Sequence, residues 1–211
     1  MNQSRDHVHP PVHVILARDA NDGIGMHGRI PWTCRGDMAF FRRVTSTTSR
    51  TTHTNSVVVG HRTRESMPTH LPGRSTRTMN RDGTFSVPDA TEHVFLGGGR
   101  ASLLAYFQRC MCGDAPWPET LIISRIHGTY ECDTVVSDRD LCLDMYTRSV
   151  SWDFEDWSVD VYVLKGSSRT NYPPEIFFML NTSTSSLDDV ISFNSRRDSD
   201  SIGSIRRSRT V

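Results

Sequence analysis

Short runs of apolar, β-branched residues alternate along the chain with longer polar stretches broken by glycine and proline. Val12-His13-Val14-Ile15-Leu16-Ala17 reads as a first buried strand. Met38, Phe41 and Phe40 or Val44 recur at helical spacing, which predicts a helix starting near Gly36 with one apolar face. Thr45 to Asn55 is Ser/Thr-rich without a period and is expected to be a surface connection. The run Val57-Val58-Val59 predicts a strand buried on both faces, as in a parallel sheet, leading through Gly60 to a helix capped by Thr63.

Ser75 to Asn80 is expected to be the next strand, although it is polar for a buried one. Asp82-Gly83 and Pro88-Asp89 then mark turns, with no helical period before His93. Glu92 to Leu96 predicts a strand entering Gly97-Gly98-Gly99, then a helix through Leu103, Leu104 and Phe107. Cys110 to Pro118 is expected to be a loop and Thr120 to Ile126 a buried strand. Trp152 to Trp157 and Val159 to Leu164 read as a closing antiparallel edge after a hairpin.

Candidate chemistry gathers where strands give way to glycine. Gly23, Gly25 and Gly28 let the backbone turn or approach a flat ligand, and Pro31 stiffens the chain just ahead of the helix. Asp37 lies in the first helical turn and has two readings. It can simply complement the helix dipole, or it can be a lone acid lining an apolar pocket with Met38 and Phe41, tuned for proton chemistry. Gly60 at a strand-to-helix turn is phosphate-binding geometry, and His61 and Arg62 beside it suit an extra phosphate such as the ribose 2′-phosphate of NADP. By itself that pattern is as often an ordinary βα turn. The triple glycine, alone, is equally open to a tight-turn reading. Leu71-Pro72-Gly73-Arg74 is turn chemistry with an arginine beside it.

Composition narrows the classes. A chain of 211 residues with 36% hydrophobic content fits one domain with a core. Its formal net charge of +0 argues against bulk attraction to nucleic acid or to an anionic membrane. The cations are nearly all arginine, Lys165 being the only lysine, so local Arg clusters remain suited to phosphates. Five cysteines make no paired framework, and Cys110-Met111-Cys112 has the wrong spacing for zinc, so reduced thiols and no metal are expected. No signal or transit pattern precedes Pro11, and no apolar run approaches a membrane span. The expected compartment is the cytoplasm.

Pro31, Trp32, Asp37, Phe41 and Thr45, in this spacing, closely resemble the substrate loop and first helix of dihydrofolate reductases. Gly60-His61-Arg62-Thr63 and Gly97-Gly98-Gly99-Arg100 follow in the order that family has them. The resemblance covers roughly Val12 to Lys165. It implies an α/β fold: one doubly wound, mostly parallel sheet flanked by helices, with the cofactor across the strand C-termini. It implies NADPH-dependent reduction of 7,8-dihydrofolate to tetrahydrofolate, in a monomeric enzyme that binds antifolates such as methotrexate. Asp37, Trp32 and Ser124 would be catalytic, Asp37 anchoring the pterin and Trp32 holding a water. Ile30, Met38, Phe41, Met67 and Leu71 would wall the substrate site, and Arg74 would fork onto the carboxylate of its glutamate tail. Ala17, Ile24, Gly60, His61, Arg62, Thr63, Arg81, Leu96, Gly98, Gly99, Arg100, Ser102 and Thr134 would line the cofactor, with the Gly23–Ile30 loop as a lid.

Three departures follow from the same resemblance. Ser102 stands where the family usually has a tyrosine against the nicotinamide, Cys34 replaces a bulkier apolar residue, and the segment 81–92 is abbreviated. Residues 1–11 read as a flexible N-terminus, 12–166 as the reductase-like domain, and 167–211 as a Ser/Arg-rich disordered tail with a sticky patch at Ile176–Leu180. Arg196-Arg197-Asp198-Ser199 and Arg206-Arg207-Ser208 fit phosphorylation sites, though polar filler is the preferred reading. Two other functions fit parts of the pattern: an impaired folate- and NADPH-binding relative with a regulatory or partner-recruiting role, and a pyrimidine reductase of riboflavin synthesis.

Overall fold

The valine- and isoleucine-rich runs become the inner strands of one sheet. A computed structural model describes residues 9–167 and 170–181. In chain order its elements are β1 (Val12–Arg18), β2 (Gly23–Gly25), α1 (Arg35–Ser46), β3 (Thr54–Val59), α2 (His61–Ser66), β4 (Arg74–Thr78), β5 (Thr91–Leu96), α3 (Arg100–Cys112), β6 (Thr120–Ile126), β7 (Thr134–Val135), β8 (Tyr146–Asp153), β9 (Trp157–Leu164) and α4 (Pro174–Asn181). The main sheet has the order β4-β3-β5-β1-β6-β9-β8. Its first five strands run parallel, and β9 and β8 close it in antiparallel pairing. β2 and β7 form a separate two-stranded ladder.

The central strands β1, β5 and β6 are buried almost end to end, which is why their sequences lack alternation. One face packs Val14, Leu16, Leu96, Leu121 and Ile123 against Leu103 and Phe107 of α3. The chain forms two compact units, Met1–Phe177 and Phe178–Val211. The first extends past the boundary expected at residue 166. The patch Ile176–Leu180 is the body of α4, a helix where a disordered tail was expected. The possible phosphorylation sites at Ser199 and Ser208 lie outside the described residues.

Several boundaries fall elsewhere than the pattern predicts. β4 starts at Arg74 and is the sheet edge, with Arg77 and Thr78 exposed, so its polarity reflects a strand with one neighbour. Val159–Leu164 is not the edge: β9 lies between β6 and β8, and the exposed positions of Thr147, Arg148 and Ser149 mark β8 as the outer strand. Thr45 and Asn55, expected on the surface, are fully buried because α1 and β3 run further than their apolar residues show. α2 begins at His61 on Gly60, not at Thr63, and α3 continues through Cys112 to Gly113, whose φ of 79° ends it in the left-handed region. Asn80 to Ala90 has neither helix nor strand. Asp82 there accepts the N–H and hydroxyl of Thr84, and Phe85 packs on Tyr106 of α3.

A hydrogen-bonded chain crosses the sheet near the start of its strands. Thr120 Oγ1 lies 2.8 Å from His13 Nδ1, and His13 Nε2 lies 2.9 Å from His93 Nδ1. His13 is fully buried and its pKa is lowered well below the ordinary value, by burial first and by His93 second. Burial pulls His93 down to about 4. Both imidazoles are therefore held neutral, and the unfolded chain binds more protons than the folded one below the ordinary histidine value of 6.5. Stability is present above that value and is lost as the pH falls from there toward about 4. Melting temperature followed across this window should fall steeply for the wild type and less so for His93→Gln.

Candidate active site

The acid helix is placed by what surrounds its first turn. Cys34 is the N-cap residue of α1, and Asp37 is the single acid of that helix. A Cβ on Gly36 would come within 2.5 Å of Trp157 Nε1, so the glycine admits the indole against the helix start. Phe40 packs on the same ring at 5.3 Å. Asp37 is partly buried, and its pKa is raised by desolvation, an effect opposed by a hydrogen bond from the Ser124 side chain. Ser124 sits on β6 in register with Ala17 of β1, one residue from that strand's C-terminal end. The carboxylate is therefore held over the C-terminal ends of the parallel strands, where open α/β sheets bind ligands. Burial also raises the Cys34 thiol, an effect opposed by a hydrogen bond from the Asp37 backbone N–H.

The apolar residues expected beside the acid differ in exposure. Ile30 and Met38 are each 64% exposed, unusual for large apolar residues. Trp32 is buried with its ring 5.4 Å from Tyr130, and Leu71 is buried while Phe41 and Met67 are half-buried. Arg74 lies over the Phe41 ring at 5.6 Å. One of its amino groups bonds Thr45 Oγ1 and the Arg42 carbonyl, while its buried Nε has no hydrogen-bond partner. Burial, and then Arg42, presses its pKa down. Among the described residues no carboxylate is in ion-pair contact with this guanidinium, and a carboxylate is the partner its forked geometry suits.

The two glycine turns meet. A Cβ on Gly60 would fall 2.0 Å from Ser102 Oγ, and one on Gly98 would fall 2.9 Å from Thr63 Oγ1. Gly98 has a φ of 97°, and Gly99 is the N-cap of α3. Two helix starts thus converge, where the first backbone N–H groups have no partner within the helix, and His61 and Arg62 stand exposed beside them. The cradle fits a dinucleotide pyrophosphate.

Three expected cofactor residues are placed otherwise. Leu96 is 0% exposed inside the core cluster, so its side chain has no surface to offer a ligand. Arg100 is held in a two-pronged ion pair with Asp140, at 2.8 and 3.0 Å, which pulls Asp140 down to about 2. Arg81 lines a surface depression with Gln108, Arg109 and Cys112, beside the C-terminal half of α3 and not its first turn. Thr134 is half-buried on β7 and donates its hydroxyl to Asp133.

The Gly23–Ile30 loop is anchored by residues whose role the sequence did not reveal. Asp19 is 1% exposed and accepts the backbone N–H groups of Asn21, Gly23 and Tyr130 at 2.7–2.9 Å. Arg18, fully buried, pairs with Asp22 at 2.9 Å and bonds the Val136 carbonyl at 3.1 Å. The Asp19-Ala20-Asn21-Asp22-Gly23 run did carry a signal for this, since aspartate caps the backbone two residues on. Ala17 stays half-buried at the base and Ile24 packs at the core's rim. Farther out, Asp133 accepts the His27 N–H at 2.7 Å. Among the described residues no cluster of acids, histidines and cysteines could hold a metal, and the five cysteines are free.

The sequence matches the family model for dihydrofolate reductase over residues 11–146. The bifunctional dihydrofolate reductase-thymidylate synthase of Daucus carota is 33% identical over 145 residues, 58% of this chain and 27% of that protein. Its counterpart in Zea mays is 27% identical over 186 residues, 75% of this chain and 33% of that protein. The dihydrofolate reductase of Heliothis virescens is 39% identical over 57 residues, 27% of this chain and 31% of that protein. The chain thus spans about a third or less of the length of these relatives. Among solved structures, a dihydrofolate reductase from Enterococcus faecalis, complexed with NADP(H) and RAB-propyl, matches with a TM-score of 0.51 at 19% identity, covering 74% of this chain and 96% of that one. That likeness supports the fold.

Proposed function

The chain belongs to the dihydrofolate reductase family, and on that premise we propose that it catalyses the NADPH-dependent reduction of 7,8-dihydrofolate to 5,6,7,8-tetrahydrofolate. The observation that carries the reading is Asp37: one partly desolvated carboxylate, steadied by Ser124, over the C-terminal ends of the strands. In this role Asp37 binds the 2-amino group and N3 of the pterin and favours protonation at N5 through water. Trp32 holds that water. Ile30, Met38, Phe41, Met67 and Leu71 flank the aminobenzoyl group, and Arg74 takes the tail carboxylate.

Bound NADPH supplies the hydride that reaches C6. Gly60, Gly98 and Gly99 bring backbone N–H groups to its phosphates, with Thr63 and Ser102 packed between the turns and His61 and Arg62 beside the 2′-phosphate. Ala17, Ile24 and Thr134 border the nicotinamide side. The working form is a cytoplasmic monomer that also binds antifolates such as methotrexate. Among the described residues no helix is long and apolar enough to cross a membrane.

The test is the loss of NADPH absorbance with dihydrofolate present; no turnover above the buffer rate would overturn the reading. In the same assay Arg74→Leu should raise the dihydrofolate KM by about 10- to 100-fold, the worth of a charged hydrogen bond, with a smaller change in kcat. A second reading, a folate- and NADPH-binding relative with little turnover, draws on the engagement of Arg100 by Asp140 and on Ser102 in place of an aromatic ring. Binding of NADPH and methotrexate without turnover would favour it.

A further inference from the structure

After β9 the chain turns back onto the body that carries the site. Asn171 donates its backbone N–H to Glu119 Oε2 at 2.6 Å and its side-chain amide to Oε1 at 3.0 Å. The Tyr172 hydroxyl lies 3.2 Å from Ser149 Oγ on β8. Pro173 is buried, Glu175 is 5% exposed and Ile176 fully buried. Glu175 Oε1 reaches Arg43 Nε of α1 at 2.7 Å. These residues all belong to the first compact unit. Seven residues thus fasten to the loop before β6, to the edge strand and to the acid helix.

The contact on α1 has a partner on the other side. Arg43 and Thr45 are two positions apart, so at about 100° per residue they project from the helix about 160° apart. Arg74 holds Thr45, and Glu175 holds Arg43. The helix is gripped from opposite sides at its C-terminal end. A helix is stiff over three turns, so fixing one end fixes the reach of Asp37 at the other. A carboxylate as buried as Glu175 is costly unless a cation meets it, which ties the placement of the segment to the placement of α1.

We propose that Glu175 is a positioning residue for Asp37: the segment Asn171–Phe177 is a strap that fixes α1 over the cleft. The consequence for catalysis rests on Asp37 anchoring the pterin, as argued above; the mechanical part does not. Glu175→Ala and Glu175→Gln in the full chain provide the test. The readouts are amide hydrogen exchange over residues 35–46, the Asp37 titration by carboxyl carbon NMR, and kinetics.

In Glu175→Ala, exchange in α1 should quicken, and the Asp37 titration should move down toward the ordinary carboxylate range as water reaches it. The bend in the kcat/KM pH profile should move the same way, with kcat about tenfold lower, as for a small misplacement of a reacting group. Glu175→Gln keeps the side chain's shape but not its charge and should lie between the alanine variant and the wild type in all three. Arg43→Gln weakens the same contact from the helix side and serves if the alanine variant does not fold. A lower melting temperature with α1 exchange and the Asp37 titration unchanged would overturn the proposal. Absence of turnover in the wild type would instead overturn the reductase reading, while exchange and NMR still decide the strap.

Discussion

Asp37→Asn is expected to lower kcat/KM for dihydrofolate by about a hundredfold or more, the usual worth of a positioned acid–base group. NADPH binding should be retained, because the glycine turns do not depend on Asp37. The amide keeps the Ser124 hydrogen bond and the shape of the side chain, so the loss isolates the charge. The same variant should be more stable than the wild type at neutral pH. Desolvation raises the folded-state pKa of Asp37, so its contribution to stability is full below the ordinary carboxylate range and is lost as pH rises through the raised value. Asparagine does not titrate and escapes that loss. Its melting temperature should exceed the wild-type value by roughly a few degrees at neutral pH and converge with it in acid. A variant that is both inactive and less stable at neutral pH would show that Asp37 is a structural acid, the plainer of its two sequence readings.

Gly98→Ala should abolish NADPH binding and destabilise the protein together. The residue has a φ of 97°, where a side chain is strained, and a Cβ would sit 2.9 Å from Thr63 Oγ1. The strain alone costs about 1–3 kcal/mol, and relief would push the two turns apart at the place where phosphates are to be held. Gly60→Ala differs in kind. Its Cβ meets the end of the Ser102 side chain, which can rotate or be trimmed, so adding Ser102→Gly should restore much of the loss. Calorimetric titration with NADPH checks both. Tight binding by Gly98→Ala would show that the cofactor does not approach that turn.

The strands that were legible in the sequence are those whose burial is nearly complete. Val57-Val58-Val59 and Leu121-Ile122-Ile123 are unbroken apolar runs, so composition alone announces them. Edges and ends were harder. β4 is polar because it has a single neighbour, and β9 appeared to be the edge because its partner β8 is mostly exposed and carries little apolar signal. Thr45 and Asn55 are buried polar residues satisfied by tertiary hydrogen bonds, Thr45 with Arg74 and Asn55 with the Thr47 carbonyl and His93 N–H. Arg74 and His93 lie 29 and 38 positions away, outside any local window of sequence.

The site shows the same division. Asp37, Gly60, Gly98 and Arg74 could be singled out because each has a chemistry or a backbone freedom that few residue types offer at that place in the pattern. Arg100 could not be placed, since its engagement depends on Asp140, forty positions away. Asp19, which ties down both ends of a turn, reads in one dimension like any loop aspartate. Glu175 lies in a segment whose composition is that of a tail, and only the position of Arg43 gives it a partner.

The small β2–β7 ladder has a consequence for how this protein could change over time. β2 shares no strand pairing with the main sheet, and of its residues Ile24 packs against the core cluster. Substitutions between Gly25 and Pro31 therefore fall outside the pairing of the main sheet, where His27 to Ile30 are exposed, and should shift the melting temperature less than substitutions in the inner strands. Such a segment can be recomposed over evolutionary time, whereas the inner strands have no such licence.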